Sequence, residues 1–120
     1  IASLVKKGYH NDLLSVWGDG TPIRDFIHAE DVARGILMSY ENQITEPINL
    51  GSGDGVRIKD IASIVATHYG KEIEYDLTKP NGDNKRLMDM TRAKSYGFYP
   101  KVDLETCIKR VIEYYESLQK

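Results

Sequence analysis

The run from Val16 to Val32 constrains this chain more than any other. Gly18, Gly20 and Pro22 fall between two strand-like runs, Leu13 to Trp17 and Ile23 to His28. Glycine and proline at this density mark a tight connection, so a hairpin-like turn is expected. Period-2 alternation puts Arg24, Phe26 and His28 on one face of the second run and Ile23, Asp25 and Ile27 on the other, which sets Arg24 beside an aromatic ring. A guanidinium fixed there suits a phosphate, because its planar fork donates two parallel bonds to phosphate oxygens. The same arginine also suits a surface ion pair with Asp25 or Asp31, and on spacing alone that is the commoner fate.

Trp17 to Ala33 reads Trp-Gly-Asp-Gly-Thr-Pro-Ile-Arg-Asp-Phe-Ile-His-Ala-Glu-Asp-Val-Ala. This run closely resembles a stretch of the extended short-chain dehydrogenase/reductases, the NAD(P)-dependent nucleotide-sugar epimerases and dehydratases. The likeness is specific, because many positions agree within one run. In that family the matching arginine holds the diphosphate of a nucleotide sugar. The resemblance therefore implies that role for Arg24, with Trp17 packing nearby.

Composition narrows the alternatives. With 120 residues, 41% hydrophobic and 28% charged, the chain is sized for one small domain with a core of its own. A net charge of -2 and scattered lysines and arginines offer no basic surface for a nucleic acid. No apolar run approaches the roughly 18 residues of a membrane span and no signal peptide opens the chain, so a cytoplasmic protein is expected. Cys107 is the single cysteine, which leaves no internal disulfide, and His10, His28 and His68 have no metal-ligand spacing. The opening Ile1 to Lys7 reads as the end of a helix already under way, as in a fragment.

In order, a helical turn or two should stop at Gly8 and give way to a loop from Tyr9 to Asp12. Glu30 to Tyr40 carries Val32, Ala33, Ile36, Leu37 and Tyr40 at helical spacing, and Gly35 within it suggests close approach to another element. Ile48 to Leu50 reads as a short strand. Gly51-Ser52-Gly53-Asp54-Gly55 then leads into a helix with Ile58, Ile61, Ala62, Val65 and Tyr69 on one face, ended by Gly70, with a strand from Ile73 to Asp76 beyond.

Strand, glycine loop, helix and acidic strand end imitate a dinucleotide-binding unit. The imitation is incomplete: Val56 stands where the third glycine should lie, and Asp54 would set a negative charge against a pyrophosphate. Arg57 replaces the usual capping Ser or Thr of the resembled family, with a cap weaker by about 1 kcal/mol expected. Tyr75 and Lys79 match a Tyr-x-x-x-Lys spacing. That pair serves acid catalysis only on a helix, and Tyr75 reads as a strand residue with Pro80 following Lys79.

Lys79 to Asp89 turns at Pro80 and Gly82 and then presents Lys85 and Arg86, a dipeptide whose ordinary fate is a solvated surface. The run resembles Lys-Pro-Asp-Gly-Thr-Pro-Arg-Lys-Leu-Leu-Asp of the GDP-L-fucose synthase branch of the family. The resemblance implies that Lys85 or Arg86 approaches the substrate nucleotide. Asn81, Asp83, Asn84 and the order Lys85-Arg86 depart from the pattern and leave base and sugar open. Thr91 should cap a short helix through Tyr96, and Asp103 to Leu118 reads as a packing helix with Leu104, Ile108, Val111, Ile112, Tyr115 and Leu118 on its apolar face.

Nearly the whole chain thus resembles the C-terminal, substrate-binding part of a Rossmann-type extended short-chain dehydrogenase/reductase: α/β, a small mixed domain of short strands and about four helices. The implied activity is that of an NAD(P)-dependent nucleotide-sugar epimerase/reductase. The implied ligand is a nucleotide sugar, a GDP-sugar before a UDP- or dTDP-hexose, held by Trp17, Arg24, Lys85 and Arg86. NADP or NAD and the catalytic Ser, Tyr and Lys would belong to a preceding Rossmann domain absent from residues 1–120, and the complete enzyme would be a homodimer. The chain alone would bind no cofactor and catalyse nothing. A non-catalytic binding or interaction module is the alternative class. By the resemblance, the Glu30 to Tyr40 helix and the Ile48 to Leu50 strand lie against that missing domain and would expose an apolar patch without it.

Overall fold

The opening apolar residues form a helix, α1 (Ala2–His10), in the computed structural model, which describes residues 1–120. Gly8 does not end it. A Cβ at Gly8 would lie 2.6 Å from Cδ2 of Tyr69, so this glycine marks a close helix crossing, and Tyr9 and His10 are helical rather than looped.

Strand β1 (Leu13–Trp17) runs parallel to β4 (Glu72–Asp76), in register from Leu13 opposite Glu72 to Trp17 opposite Asp76. Alternation along β1 sends Leu14 and Val16 into the core and leaves Leu13 and Trp17 outside. The inward pair meets Val5 of α1, Ile61, Ala62, Val65 and Ala66 of α3 (Ile58–Tyr69), and Ile108 and Ile112 of α5 (Leu104–Ser117). These are the helix faces expected from apolar spacing, with one correction: Leu118 follows the last turn of α5 and is 60% exposed.

The expected hairpin does not form. Strand β2 (Ile23–Asp25) pairs antiparallel with β3 (Gly55–Arg57) and parallel with β5 (Lys85–Arg86), in a sheet separate from β1. Positive φ at Gly18 (76°) and Gly20 (75°) turns the chain from one sheet to the other, and Asp19 Oδ1 fixes the bend by accepting from Thr21 N at 2.9 Å and Thr21 Oγ1 at 2.6 Å. The carbonyls of Gly20 and Pro22 then accept from Lys59 N at 2.8 Å and Ile58 N at 3.1 Å. Arg57, the N-cap of α3, makes no side-chain cap bond. The turn thus supplies two of the partners the helix start needs, which offsets the expected weakness of the cap.

Strand β2 ends at Asp25 rather than His28, and the alternation ends with it. Phe26 packs on the core already described, whereas Ile27 packs with Met38 and Leu50 on a second, smaller core of Met90, Ala93 and Phe98. His28 caps α2 (Ala29–Glu41), its Nδ1 accepting from Glu30 N at 3.1 Å. Gly35 bears out the expected close approach, since a Cβ there would meet Leu50 at 2.6 Å and Phe98 at 3.1 Å.

Ile48 to Leu50 is not a strand, because no other segment of the chain offers it a ladder. At α4 (Thr91–Ser95) the N-terminal partner is Asp89 rather than Thr91: its Oδ1 accepts from Thr91 N at 3.0 Å. Two cores rather than one give a flat molecule, 50 × 36 × 16 Å, whose radius of gyration of 16.3 Å exceeds the roughly 13.6 Å of a compact domain this long. Ile36, Leu37 and Tyr40 of α2 lie 61%, 55% and 82% exposed, the apolar patch that the sequence leads one to expect. No helix is long and apolar enough to cross a membrane.

Asp31 ties α2 to the approach of α5. Its fully buried carboxylate accepts from Lys101 N, Val102 N at 2.9 Å and Arg34 Nη2 at 2.6 Å. Asp31→Ala is expected to lower the unfolding free energy by about 3 kcal/mol in urea titration, because two amides and a guanidinium lose their partner together.

Candidate functional site

Parallel pairing of β2 with β5 sets Arg24 opposite Arg86. Both line a cleft of about 380 Å³ with Asp25, Ile27, Leu50, Gly51, Leu87 and Met88. Its walls are aliphatic, so the aromatic neighbour expected for Arg24 is replaced by Ile27; Phe26 lines a different cleft.

The two guanidiniums are held differently. Arg24 Nη1 donates to the carbonyls of Ile23 at 2.8 Å and Asp83 at 2.7 Å, and the arginine makes no ion pair. The pairing with Asp25 or Asp31 that spacing permits is therefore not what the fold adopts. Two neutral acceptors orient Arg24 and leave its charge uncancelled, with the Nε and Nη2 edge free for two parallel bonds. Arg86 donates through Nε and Nη2 to one carboxylate oxygen of Asp83. One residue, Asp83, thus touches both arginines, through its carbonyl and through its side chain.

Asp25 fixes the cleft's frame. Its Oδ1 accepts from Ser52 N and Ser52 Oγ, each at 2.7 Å, and its Oδ2 accepts from Gly53 N at 2.9 Å and Met88 N at 3.2 Å. Burial pushes this carboxyl up, and the bonds from Ser52, Gly53 and Met88 more than offset it, holding it below the ordinary aspartate value. The glycine loop therefore does not fit a dinucleotide pyrophosphate: the amides of Ser52 and Gly53 already serve a carboxylate of this chain. Tyr75 lies in β4 rather than on a helix, as expected.

The remaining expected residues lie elsewhere. Lys85 is exposed in β5 opposite Ile23, one step along from the Arg24 and Arg86 pair and so on the other face of that sheet. Trp17 is 61% exposed and lines a separate cleft with Ile1, Leu4, Lys7 and Ile58. Lys79 Nζ stands 5.2 Å from its ring centre. The segment from Lys79 to Asn84 connects the two places: Asn81 Oδ1 accepts from Asp19 N at 2.9 Å, and the Asn84 carbonyl accepts from Ile23 N at 2.9 Å. Asp25 and Asp83 are the residues that sequence reading missed. For Asp83 a signal was available in its spacing of three residues from Arg86; for Asp25 the hint was a loop of amides in want of an anion.

Residues 1–51 match the family described as NAD dependent epimerase/dehydratase. A putative GDP-L-fucose synthase 2 of Arabidopsis thaliana is 34% identical over 112 residues, covering 91% of this chain and 34% of the relative. A GDP-L-fucose synthase of Sinorhizobium fredii is 34% identical over 125 residues, covering 98% of this chain and 40% of the relative. The UDP-glucuronic acid 4-epimerase of Bacillus cereus, solved with UDP-glucuronic acid and NAD, superposes with a TM-score of 0.82 at 27% identity, over 96% of this chain and 38% of that one. The chain spans about a third of the length of the curated relatives it matches. The fold places it among the extended short-chain dehydrogenase/reductases, which are of Rossmann type. Within that class the chain belongs to the NAD-dependent epimerase/dehydratase family.

Asp25→Asn is expected to cost about 2 kcal/mol of stability, since hydrogen bonds to a charged acceptor are the ones weakened. A folded pKa held below the unfolded one stabilises above the unfolded value, about pH 4, and that stability is lost as pH falls through the folded value. The gap between wild type and Asp25→Asn in urea titrations should therefore be full at pH 7 and narrow below pH ~4.

Proposed function

We propose that this chain is the nucleotide-sugar binding portion of an NAD(P)-dependent epimerase/reductase of the GDP-L-fucose synthase type. The observation that carries the reading is the pairing of Arg24 with Arg86 across β2 and β5, over one cleft, with Arg24 free of any carboxylate. A diphosphate carries charge to match two guanidiniums, and its oxygens suit the free edge of Arg24. The aliphatic wall of Ile27, Leu50, Leu87 and Met88 lowers the local dielectric and strengthens those bonds. Binding energy collected on this handle is available to orient a sugar for chemistry performed beyond these residues.

In this reading Trp17 serves the nucleotide end, and Lys85, on the other face of the sheet from Arg86, stays outside the cleft. Lys79 to Asn84 runs from the Trp17 ring to Arg24, and a ligand lying along it would have its diphosphate at one end and its base toward the other. NAD or NADP and the catalytic groups belong to the rest of the complete homodimeric enzyme, and the 120 residues alone bind without catalysing. Similarity at 34% identity to GDP-L-fucose synthases supports GDP over UDP or dTDP.

Calorimetry of the chain with GDP, UDP and dTDP tests this. GDP is expected to bind tightest, Arg24→Ala to weaken it at least tenfold, consistent with ~1.5–3 kcal/mol for a charge-assisted bond, and GDP to quench Trp17, the single tryptophan. Binding of none of the three, or binding indifferent to Arg24→Ala, would sink the assignment. Preference for UDP would move the chain to another branch of the family.

A further inference from the structure

We propose that Asp83 is an internal competitor for the diphosphate, a specificity-determining residue that occupies Arg86 until a ligand carrying enough negative charge displaces it. The inference rests on the assignment of the Arg24 and Arg86 cleft to a diphosphate. Its ground is the asymmetry of the two arginines. Arg24 is oriented by the neutral carbonyls of Ile23 and Asp83, whereas Arg86 gives Nε and Nη2 to the Asp83 carboxylate. That edge of Arg86 is the one a phosphate would take, so ligand and carboxylate exclude one another there.

The pair is exposed, Arg86 at 71% and Asp83 at 59%, which decides the sign. An exposed ion pair contributes little, so the orientation that Asp83 gives Arg86 is worth little. What Asp83 imposes on a ligand is larger: a negative charge beside the diphosphate and a partner to be displaced first. The backbone carbonyl of Asp83 holds Arg24, and a side-chain substitution leaves that bond in place. Asp83 also replaces the threonine of the resembled pattern, so this chain discriminates by charge where the pattern carries a neutral hydroxyl.

Asp83→Asn keeps the size of the side chain and removes its charge. Calorimetry on the chain with GDP, pyrophosphate and guanosine is the experiment, with thermal midpoints read alongside. Asp83→Asn and a second variant, Asp83→Ser, are expected to bind GDP and pyrophosphate about threefold tighter, in keeping with the ~0.2–1 kcal/mol of an exposed pair. Guanosine, which has no phosphate, should show no gain, and Asp83→Glu should restore the wild-type values. In an Arg86→Ala background the gain should shrink toward nothing, because the contested partner is gone. Equal or weaker GDP binding by both neutral variants overturns the proposal, as does a gain shared by guanosine, which marks a structural effect. If GDP binding by the wild type is absent or indifferent to Arg24→Ala, and neither neutral variant binds, the diphosphate assignment itself falls and this proposal with it. A wild type that responds to Arg24→Ala beside unresponsive Asp83 variants overturns the competitor alone.

Discussion

Asp25 is the constraint on which the cleft depends. One carboxylate gathers amides and a hydroxyl from segments 27 and 63 residues away in sequence, and in doing so draws the glycine loop and the strand carrying Arg86 to either side of β2. The sheet it organises is slight, with strands of three, three and two residues, too short to define a register through ladder bonds alone. A charged acceptor contributes more per bond than a neutral one and specifies direction as well. Arg24 precedes Asp25 along β2, and both line the cleft, so anchoring the Asp25 carboxylate fixes the stretch of backbone from which Arg24 projects. Holding Asp25 therefore also aims Arg24.

The Gly18 to Pro22 connection performs the complementary task of joining two cores. It carries the chain out of the β1 and β4 pair, caps α3 with its own carbonyls, and delivers β2 beside the smaller core. A hairpin would have folded β2 back on β1 and placed Arg24 against the main core. Crossing between sheets instead puts it in a cleft that borders the smaller core through Ile27 and Leu50.

The helices were legible in the chain because a 3.6-residue apolar period survives whatever surrounds it; α3 and α5 lie where periodicity puts them. The misplaced features all turn on partners distant in sequence. Gly8 looks like a stop signal until Tyr69 is seen against it, and Ile48 to Leu50 looks like a strand until no neighbour is found for it. Pairing of β2 with β3 and β5 cannot be inferred from a turn that fits a hairpin equally well. At the site, Arg24 and Arg86 were singled out and come together, whereas Trp17 and Lys85 were singled out and lie apart from them. The roles of Asp25 and Asp83 are not legible in the chain, because an aspartate reads there as surface charge or an ion-pair partner, and only the fold reveals which donors face it.

Arg24 also illustrates how little the count of nearby charges says about a guanidinium. Asp25 is its neighbour in sequence and carries a full negative charge, yet that carboxylate is committed to Ser52, Gly53 and Met88. Asp83 is near as well, but it offers Arg24 a carbonyl and gives its carboxylate to Arg86. Had either aspartate paired with Arg24, the arginine would be oriented and neutralised at once. Orientation by carbonyls separates the two effects: the fork is fixed at 2.7 and 2.8 Å by neutral acceptors while the positive charge stays available to the cleft. An anion-binding arginine has to meet both conditions, and a surface ion pair meets only the first.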